Sequence, residues 1–166
     1  MWRMTSTATA PATSLLRHSL ATLAYRAAKT LRGAPAEFAN FRASPATRTP
    51  AEILAHMGDL MDWALSLVDG KQAWHNSTPL DWDDEVARFF RTTEVLDRRL
   101  AAAEPSACAE EKLFQGPIAD ALWHAGQIAM LRRMSGAPIK GENYLRANIA
   151  AGCAGANQPQ AVKEFD

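Results

Sequence analysis

The stretch "DALWHAGQIAML" places a carboxylate and an imidazole four residues apart, as Asp120 and His124. On an α-helix, positions i and i+4 share a face, so the two side chains would lie side by side. A second imidazole, His56, is in line with the apolar residues Ile53 and Leu60 of another helical pattern. If the two helices face each other, two nitrogen atoms and one carboxylate oxygen converge. That donor set can hold a divalent transition metal and leave positions for water or substrate.

The same spacing has a second interpretation. An Asp hydrogen-bonded to a His is a common way to satisfy two buried polar groups, and the pattern D-x-x-x-H carries little information. Spacing alone therefore leaves two alternatives open. One is a metal site formed by His56, Asp120 and His124, and the other is a metal-free hydrogen-bonded pair of Asp120 and His124.

Other side chains are weaker candidates for chemistry. Glu142 and Tyr144 follow the predicted end of the last long helix, where they could line a pocket as catalytic acid and base groups. His75, in a polar loop, is interpreted as a solvated residue that could reach the mouth of a site. Four tryptophans without an accompanying basic stripe are interpreted as packing residues; they are Trp63, Trp74, Trp82 and Trp123.

Apolar residues recurring at steps of three or four predict the helices that must position these side chains. The predicted ranges are 14–32, 50–69, 82–104 and 117–135. The clearest start is that of the second helix, where Thr49 can cap, Pro50 suits the first position and Glu52 can close a capping box. Pro117 is predicted to open the fourth helix, which makes residues 106–115 a polar connection.

These patterns predict an all-α fold, a four-helix bundle in a single domain spanning residues 1–166. The core is expected over residues 14–152. Within it, "GENYLRANIAAG", residues 141–152, predicts a short fifth helix. Residues 153–166 show no apolar period and are predicted to form an irregular surface tail.

Composition narrows the classes of partner. Eighteen basic and eighteen acidic residues cancel, so the charge balance gives no sign of binding to nucleic acid or an anionic membrane. Small molecules or further copies of the chain are the expected partners. Cys108 and Cys153 form no C-x-x-C motif, which is typical of a reducing cytoplasm. Thr, Ser and Pro interrupt the N-terminal stretch, so we expect no secretory signal, and no apolar run predicts a membrane-spanning helix.

Two stretches together carry a family resemblance. They are "TPAEILAHMGDLMDWAL", with a His a few residues into the second predicted helix, and "WHAGQIAMLRRMSGAP", which is similar to an H-x-G-Q-I/L segment. On these stretches, the chain from about Leu15 to Gly152 resembles the DinB/YfiT-like superfamily of four-helix bundles. That superfamily includes metal-dependent thiol transferases and hydrolases.

The resemblance implies a ligand set residue by residue. In the superfamily, one His of helix two and two His of helix four, separated by three residues, typically hold a divalent metal. His56 and His124 match the first and last of these, whereas Asp120 stands at the middle position. The set becomes two imidazoles and one carboxylate, which Zn²⁺, Ni²⁺, Mn²⁺ and Fe²⁺ all accept.

The resemblance also implies a function. We expect a cytoplasmic metal-dependent thiol S-transferase or hydrolase that acts on a small metabolite. A homodimer is expected because family members associate and because Leu65, Val68 and Trp82 add apolar surface beyond the need of one bundle. The alternative is a non-catalytic dimeric bundle, a ligand-binding or stress-response protein without metal.

Overall fold

Four long helical segments make up the fold, and the computed structural model describes them within residues 11–165. The helices are α1 (Pro11–Leu31), α2 (Pro50–Val68), α3 (Trp82–Ala101), the short α4 (Glu110–Leu113) and α5 (Ala119–Met134), with a π-helical turn (Phe114–Ile118) joining the last two. Between residues 11 and 165 there is no β-strand, and the one isolated bridge pairs Glu142 with Glu164. The all-α helical bundle expected from the sequence is confirmed.

The helices surround one apolar core. α1 and α2 each pack against both α3 and α5, so that every long helix has two neighbours. Side chains that predicted the helical periods, such as Leu20, Met57 and Ile128, are fully buried. Two residues that suggested a dimer interface, Val68 and Trp82, belong to this core or pack against it. The same holds for Leu65, so this argument for a dimer was wrong.

The second helix begins where its sequence predicts. The Glu52 amide donates to Thr49 Oγ1 at 3.1 Å, and the Thr49 amide donates to Glu52 Oε2 at 2.7 Å. This capping box satisfies two amides that would otherwise lack partners at the helix start. Gly70, at a positive φ of 74°, ends the helix in the left-handed conformation that glycine adopts without strain.

The fourth helix begins earlier than predicted. Pro117 does not open it but lies inside the π-helical turn, and the helical path starts seven residues before it at Glu110. A proline has no amide hydrogen and clashes with the preceding turn of a regular α-helix. The wider turn accommodates the ring without ending the helix, so residues 110–115 are not a connection.

The C-terminal part also differs from expectation. In place of a fifth helix over residues 141–152 there is a single 3₁₀ turn, Tyr144–Arg146. The segment that follows is irregular, as predicted, but it is not only surface, because Ala154 and Gln158 are buried. The Gln158 amide donates to the carbonyl oxygens of Cys153 and Gly155. Side-chain hydrogen bonds of Gln158 thus add to isolated backbone bonds in holding this irregular segment.

Residues 11–165 contain no helix whose length and apolar character would let it cross a membrane. The first ten residues, which carry most of the stretch that bears on a secretory signal, lie outside the described part of the chain.

Candidate metal centre

The structure brings the three predicted ligands together. His56 projects from α2, and Asp120 and His124 project from α5, which packs against α2. One ligand atom from each side chain lies within 4.8 Å of the other two. His124 is buried, His56 is partly buried, and the Asp120 side chain keeps 46% of its surface exposed. Solvent therefore reaches this three-residue centre from the side of Asp120.

The distances within the centre separate the two interpretations of the sequence. Asp120 Oδ2 lies 3.6 Å from His56 Nε2, and Asp120 Oδ1 lies 3.4 Å from His124 Nε2. An N–H···O hydrogen bond spans about 2.7 to 3.2 Å. Two ligand atoms that share an ion at roughly 2.0 to 2.2 Å in tetrahedral geometry lie about 3.3 to 3.6 Å apart. Both distances exceed the usual range of a hydrogen bond and are compatible with ligand atoms that share an ion.

The orientation of His124 leaves its inner nitrogen free to coordinate. Its Nδ1 lies 2.9 Å from Gln127 Oε1, one turn further along α5. Because an amide oxygen only accepts, Nδ1 carries the proton, and Nε2 presents a lone pair toward Asp120. The ring of His56 meets that of His124 edge to face, with centroids 4.8 Å apart. A hydrogen bond from the outer ring nitrogen, like that of His124 to Gln127, is typical of histidines that bind metals.

The surroundings of His56 favour its neutral form. Burial lowers its pKa below the ordinary value, repulsion from a protonated His124 and from Arg48 lowers it further, and Asp120 opposes the shift. The charged imidazolium is disfavoured because it would lose water in this partly apolar place. A neutral imidazole has a lone pair for an ion, so the shift favours coordination.

An aromatic side chain borders the centre. Trp74, in the loop between α2 and α3, meets His56 edge to face at a centroid distance of 5.6 Å and Trp63 at 5.7 Å. It nevertheless keeps 43% of its surface exposed, and Trp123 on α5 keeps 71%. The interpretation of these two indoles as packing residues was therefore wrong for Trp123 and incomplete for Trp74.

One turn along α2 lies a second cluster of similar residue types, which the sequence reading missed. Asp59, Asp62 and His75 also offer one ligand atom each within 4.8 Å of the others. His75 Nε2 lies 3.1 Å from Asp59 Oδ1 and 3.5 Å from Asp62 Oδ2. His75 is a loop residue whose side chain stays 48% exposed, as expected, and it also contacts two carboxylates of α2.

A guanidinium already fills this second cluster. Arg88 Nη1 on α3 donates to Asp59 Oδ1 at 3.0 Å and to Asp62 Oδ2 at 3.1 Å. Its Nε donates to Glu85 Oε1 at 2.6 Å, and its Nη2 donates to the Ala55 carbonyl at 2.6 Å. Four acceptors therefore surround one largely buried cation. Such pairing is what makes buried carboxylates tolerable.

The backbone of α2 makes room for that cation at Gly58. A Cβ atom at this position would lie 2.5 Å from Arg88 Nη2. The Asp59 carboxylate accepts two further bonds, from the Ser77 amide at 2.8 Å and the Ser77 hydroxyl at 2.6 Å. Burial of Asp59 opposes its ionisation, but the bonds from Ser77 and Arg88 outweigh it and hold its pKa below the ordinary value. We call Arg88 and the carboxylates of Asp59, Asp62 and Glu85 the arginine cluster. Through Ser77, this cluster binds the α2–α3 loop to both helices.

The structure places Glu142 and Tyr144 elsewhere. Glu142 accepts from the Tyr25 hydroxyl at 2.6 Å and from Lys29 Nζ at 2.8 Å, both on α1, and burial together with Glu142 raises the pKa of Tyr25. Tyr144 meets the Tyr25 ring edge to face and lies under the Arg26 guanidinium. Glu142 does line a cavity of about 220 Å³, as expected. However, both residues contact α1, and neither belongs to the His56, Asp120 and His124 centre.

The signal that could have found the second cluster lies in "HMGDLMDW". Asp59 falls three residues after His56, on the apolar face of α2, and a carboxylate there needs a partner. The choice of Arg88 as that partner depends on how α2 and α3 pack, which the helical period does not specify.

Comparisons with protein-family models, with curated proteins and with solved structures each found no match to this chain. The resemblance to the DinB/YfiT-like superfamily therefore stays a prediction that depends on the two stretches quoted above.

Proposed function

We propose that this chain is a DinB-like metal-binding bundle that acts in the cytoplasm as a metal-dependent thiol S-transferase or hydrolase on a small metabolite. One observation carries the proposal. The distances of 3.4 and 3.6 Å from Asp120 to the two imidazoles fit a shared ion and exceed those of hydrogen bonds.

The residues present suit such an ion in three ways. The lowered pKa of His56 favours its neutral form, Gln127 Oε1 favours the tautomer of His124 with its proton on the far nitrogen, and Asp120 supplies an anionic oxygen at the solvent side. Two imidazoles and a carboxylate accept Zn²⁺, Ni²⁺, Mn²⁺ or Fe²⁺. A bound divalent ion lowers the pKa of a coordinated water or thiol, which supplies hydroxide or thiolate near neutral pH.

Asp120 has a second role in this proposal. Its exposed side chain leaves one flank of the centre open, so that a small molecule can approach without a movement of the helices. The buried His124 and the partly buried His56 are the less accessible ligands. The chain thus provides three fixed ligands and one direction of access, the arrangement expected of a catalytic rather than a purely structural metal site.

The decisive experiment is metal analysis of protein purified without chelator and without nickel resin, followed by titration with Zn²⁺. We expect about one ion per chain in the wild type and none retained by His56→Ala or Asp120→Ala. His18→Ala, which removes an exposed imidazole of α1, is the matched control and should retain the ion. A wild-type chain that neither carries nor takes up a divalent ion would favour the non-catalytic alternative.

A homodimer is the second part of the proposal. Trp123, Met130 and Met134 are exposed on α5 at spacings of seven and four residues, which places them on one helix face. A second copy of the chain would cover this apolar stripe. Light scattering should give twice the 18.1 kDa chain mass at micromolar concentration, and Met130→Lys should reduce it to that of one chain.

A further inference from the structure

The position of Trp74 relative to the candidate centre suggests what kind of molecule binds there. His56 is contacted by two rings, with the His124 centroid at 4.8 Å and the Trp74 centroid at 5.6 Å. The His124 ring and the Trp74 indole thus both contact the His56 imidazole. A molecule coordinated at the centre would extend within reach of the indole surface that is left exposed.

Trp74 is held in this place from two directions. Its ring packs edge to face against Trp63 of α2 at 5.7 Å. The residues that follow it are bound to the same helix, because His75 Nε2 and the Ser77 amide and hydroxyl all contact the Asp59 carboxylate. A preorganised aromatic surface costs little conformational entropy when a ligand binds to it.

The charge of the centre restricts the ligand group. Two neutral imidazoles and one carboxylate leave one positive charge on a bound divalent ion, and the positive charge of Arg48 acts on the same His56. An anionic group is therefore favoured at the ion, and a cationic group against Trp74 is disfavoured by the nearby positive charges. The part of the ligand that contacts the Trp74 indole is therefore expected to be an uncharged planar group, since aromatic rings pack well edge to face or offset.

We propose that Trp74 forms the specificity-determining wall of the substrate site. It selects anionic, metal-binding small molecules that carry an aromatic or similarly flat apolar group. This inference rests on the proposed function, because the ion anchors the substrate beside the indole. Trp74 itself takes no part in the chemistry.

The test uses Co²⁺-loaded protein and two probes, benzohydroxamate and acetohydroxamate, which share the metal-binding group and differ in the ring. Their dissociation constants are read from changes in the visible spectrum of the bound Co²⁺. Trp74→Ala should reduce the preference for benzohydroxamate about tenfold, the loss expected when a well-packed ring contact and its apolar area are removed. Trp74→Phe should retain most of the preference.

Two further measurements make the result specific. The affinity for Co²⁺ alone should stay the same in the Trp74 variants, and Trp123→Ala, which removes the more exposed indole, should leave the preference unchanged. Failure to bind Co²⁺ at all would overturn the proposed function together with this inference. Normal Co²⁺ binding with an unchanged preference in Trp74→Ala would overturn only this inference, as would weakened Co²⁺ binding in that variant or an equal loss in Trp123→Ala.

Discussion

Two clusters of His and Asp side chains lie one turn apart on α2, and they differ in what balances their charge. The first, His56 with Asp120 and His124, has no arginine or lysine within salt-bridge distance among the described residues. The second, Asp59 with Asp62 and His75, encloses the Arg88 guanidinium. The residue types are similar, yet only the second cluster already contains a cationic side chain of the protein.

The difference shows that a set of potential ligands is not by itself a metal site. In the arginine cluster the acceptors are satisfied at hydrogen-bond distances of 2.6 to 3.1 Å. In the candidate metal centre the corresponding distances are longer, and an ion is the partner that would fit. We therefore expect the arginine cluster to govern folding stability and the metal centre to govern binding. The following predictions test this division.

The largest effect is expected from Arg88→Leu. The change leaves the buried carboxylates of Asp59 and Glu85 without their cation, and breaking a buried ion pair typically lowers the free energy of unfolding by about 3 to 5 kcal/mol. Urea denaturation followed by circular dichroism measures the loss. Asp120→Ala in the metal-free protein is the control and should change stability by less than about 1 kcal/mol. Equal losses of unfolding free energy in the two variants would contradict the proposal that the arginine cluster, and not the metal centre, governs stability.

The next largest effect concerns Zn²⁺ affinity and compares one imidazole from each cluster. His124→Ala should weaken Zn²⁺ binding by more than about 100-fold, since even loss of an outer hydrogen-bond partner can cost 10- to 100-fold. His75→Ala should leave Zn²⁺ affinity nearly unchanged, because Arg88 already neutralises its cluster. Competition titrations with a chromophoric chelator give both constants. A loss of Zn²⁺ affinity in His75→Ala would indicate that the ion binds at the arginine cluster instead.

Acidification should weaken binding at the candidate metal centre only. Protons compete with the ion for imidazole nitrogen, so affinity should fall below about pH 6.5, by at most about tenfold per pH unit for each His that takes up a proton. The pKa of His56 lies below its ordinary value, so this side chain keeps its lone pair to a lower pH than an exposed His does. Zn²⁺ titrations between pH 5.5 and 7.5 measure the slope, and a flat profile would argue against imidazole ligands.

The smallest effect concerns the helix that carries both clusters. Thr49→Ala removes the hydroxyl that accepts from the Glu52 amide, and loss of such a cap costs about 1 kcal/mol of unfolding free energy. Because the cap lies at the helix start, Zn²⁺ affinity should not change. Thermal denaturation with and without Zn²⁺ gives both quantities, and Thr49→Ser is the control that retains the hydroxyl. Unchanged stability in Thr49→Ala would show that the cap contributes nothing.

The sequence predicts the features that depend on local patterns. The helical periods and the Thr49 capping box are confirmed, because both arise from residues within one or two turns of each other. The shared face of Asp120 and His124 follows in the same way. His56 was placed with them only on the assumption that the second and fourth helices face each other, which they do.

The features that sequence reasoning missed depend on contacts between distant segments or on unusual backbone. The position of Pro117 inside a helix requires a π-helical turn, whereas the local rule favours a helix start. The return of His75 and Ser77 to Asp59 involves a loop with no period of its own. Glu142 is fixed by Tyr25, 117 residues earlier in the chain.

The close approach at Gly58 has a consequence for anyone who engineers this chain. Replacing helical glycines with alanine is a standard route to a more stable protein, worth up to about 1 kcal/mol at an open position. Gly126 on α5 is such a position, with no neighbouring atom within 4 Å of an added Cβ. At Gly58 the added methyl group would displace the Arg88 guanidinium from its acceptors. A substitution that usually strengthens a helix would there disturb the Arg88 contacts that join α2 to α3.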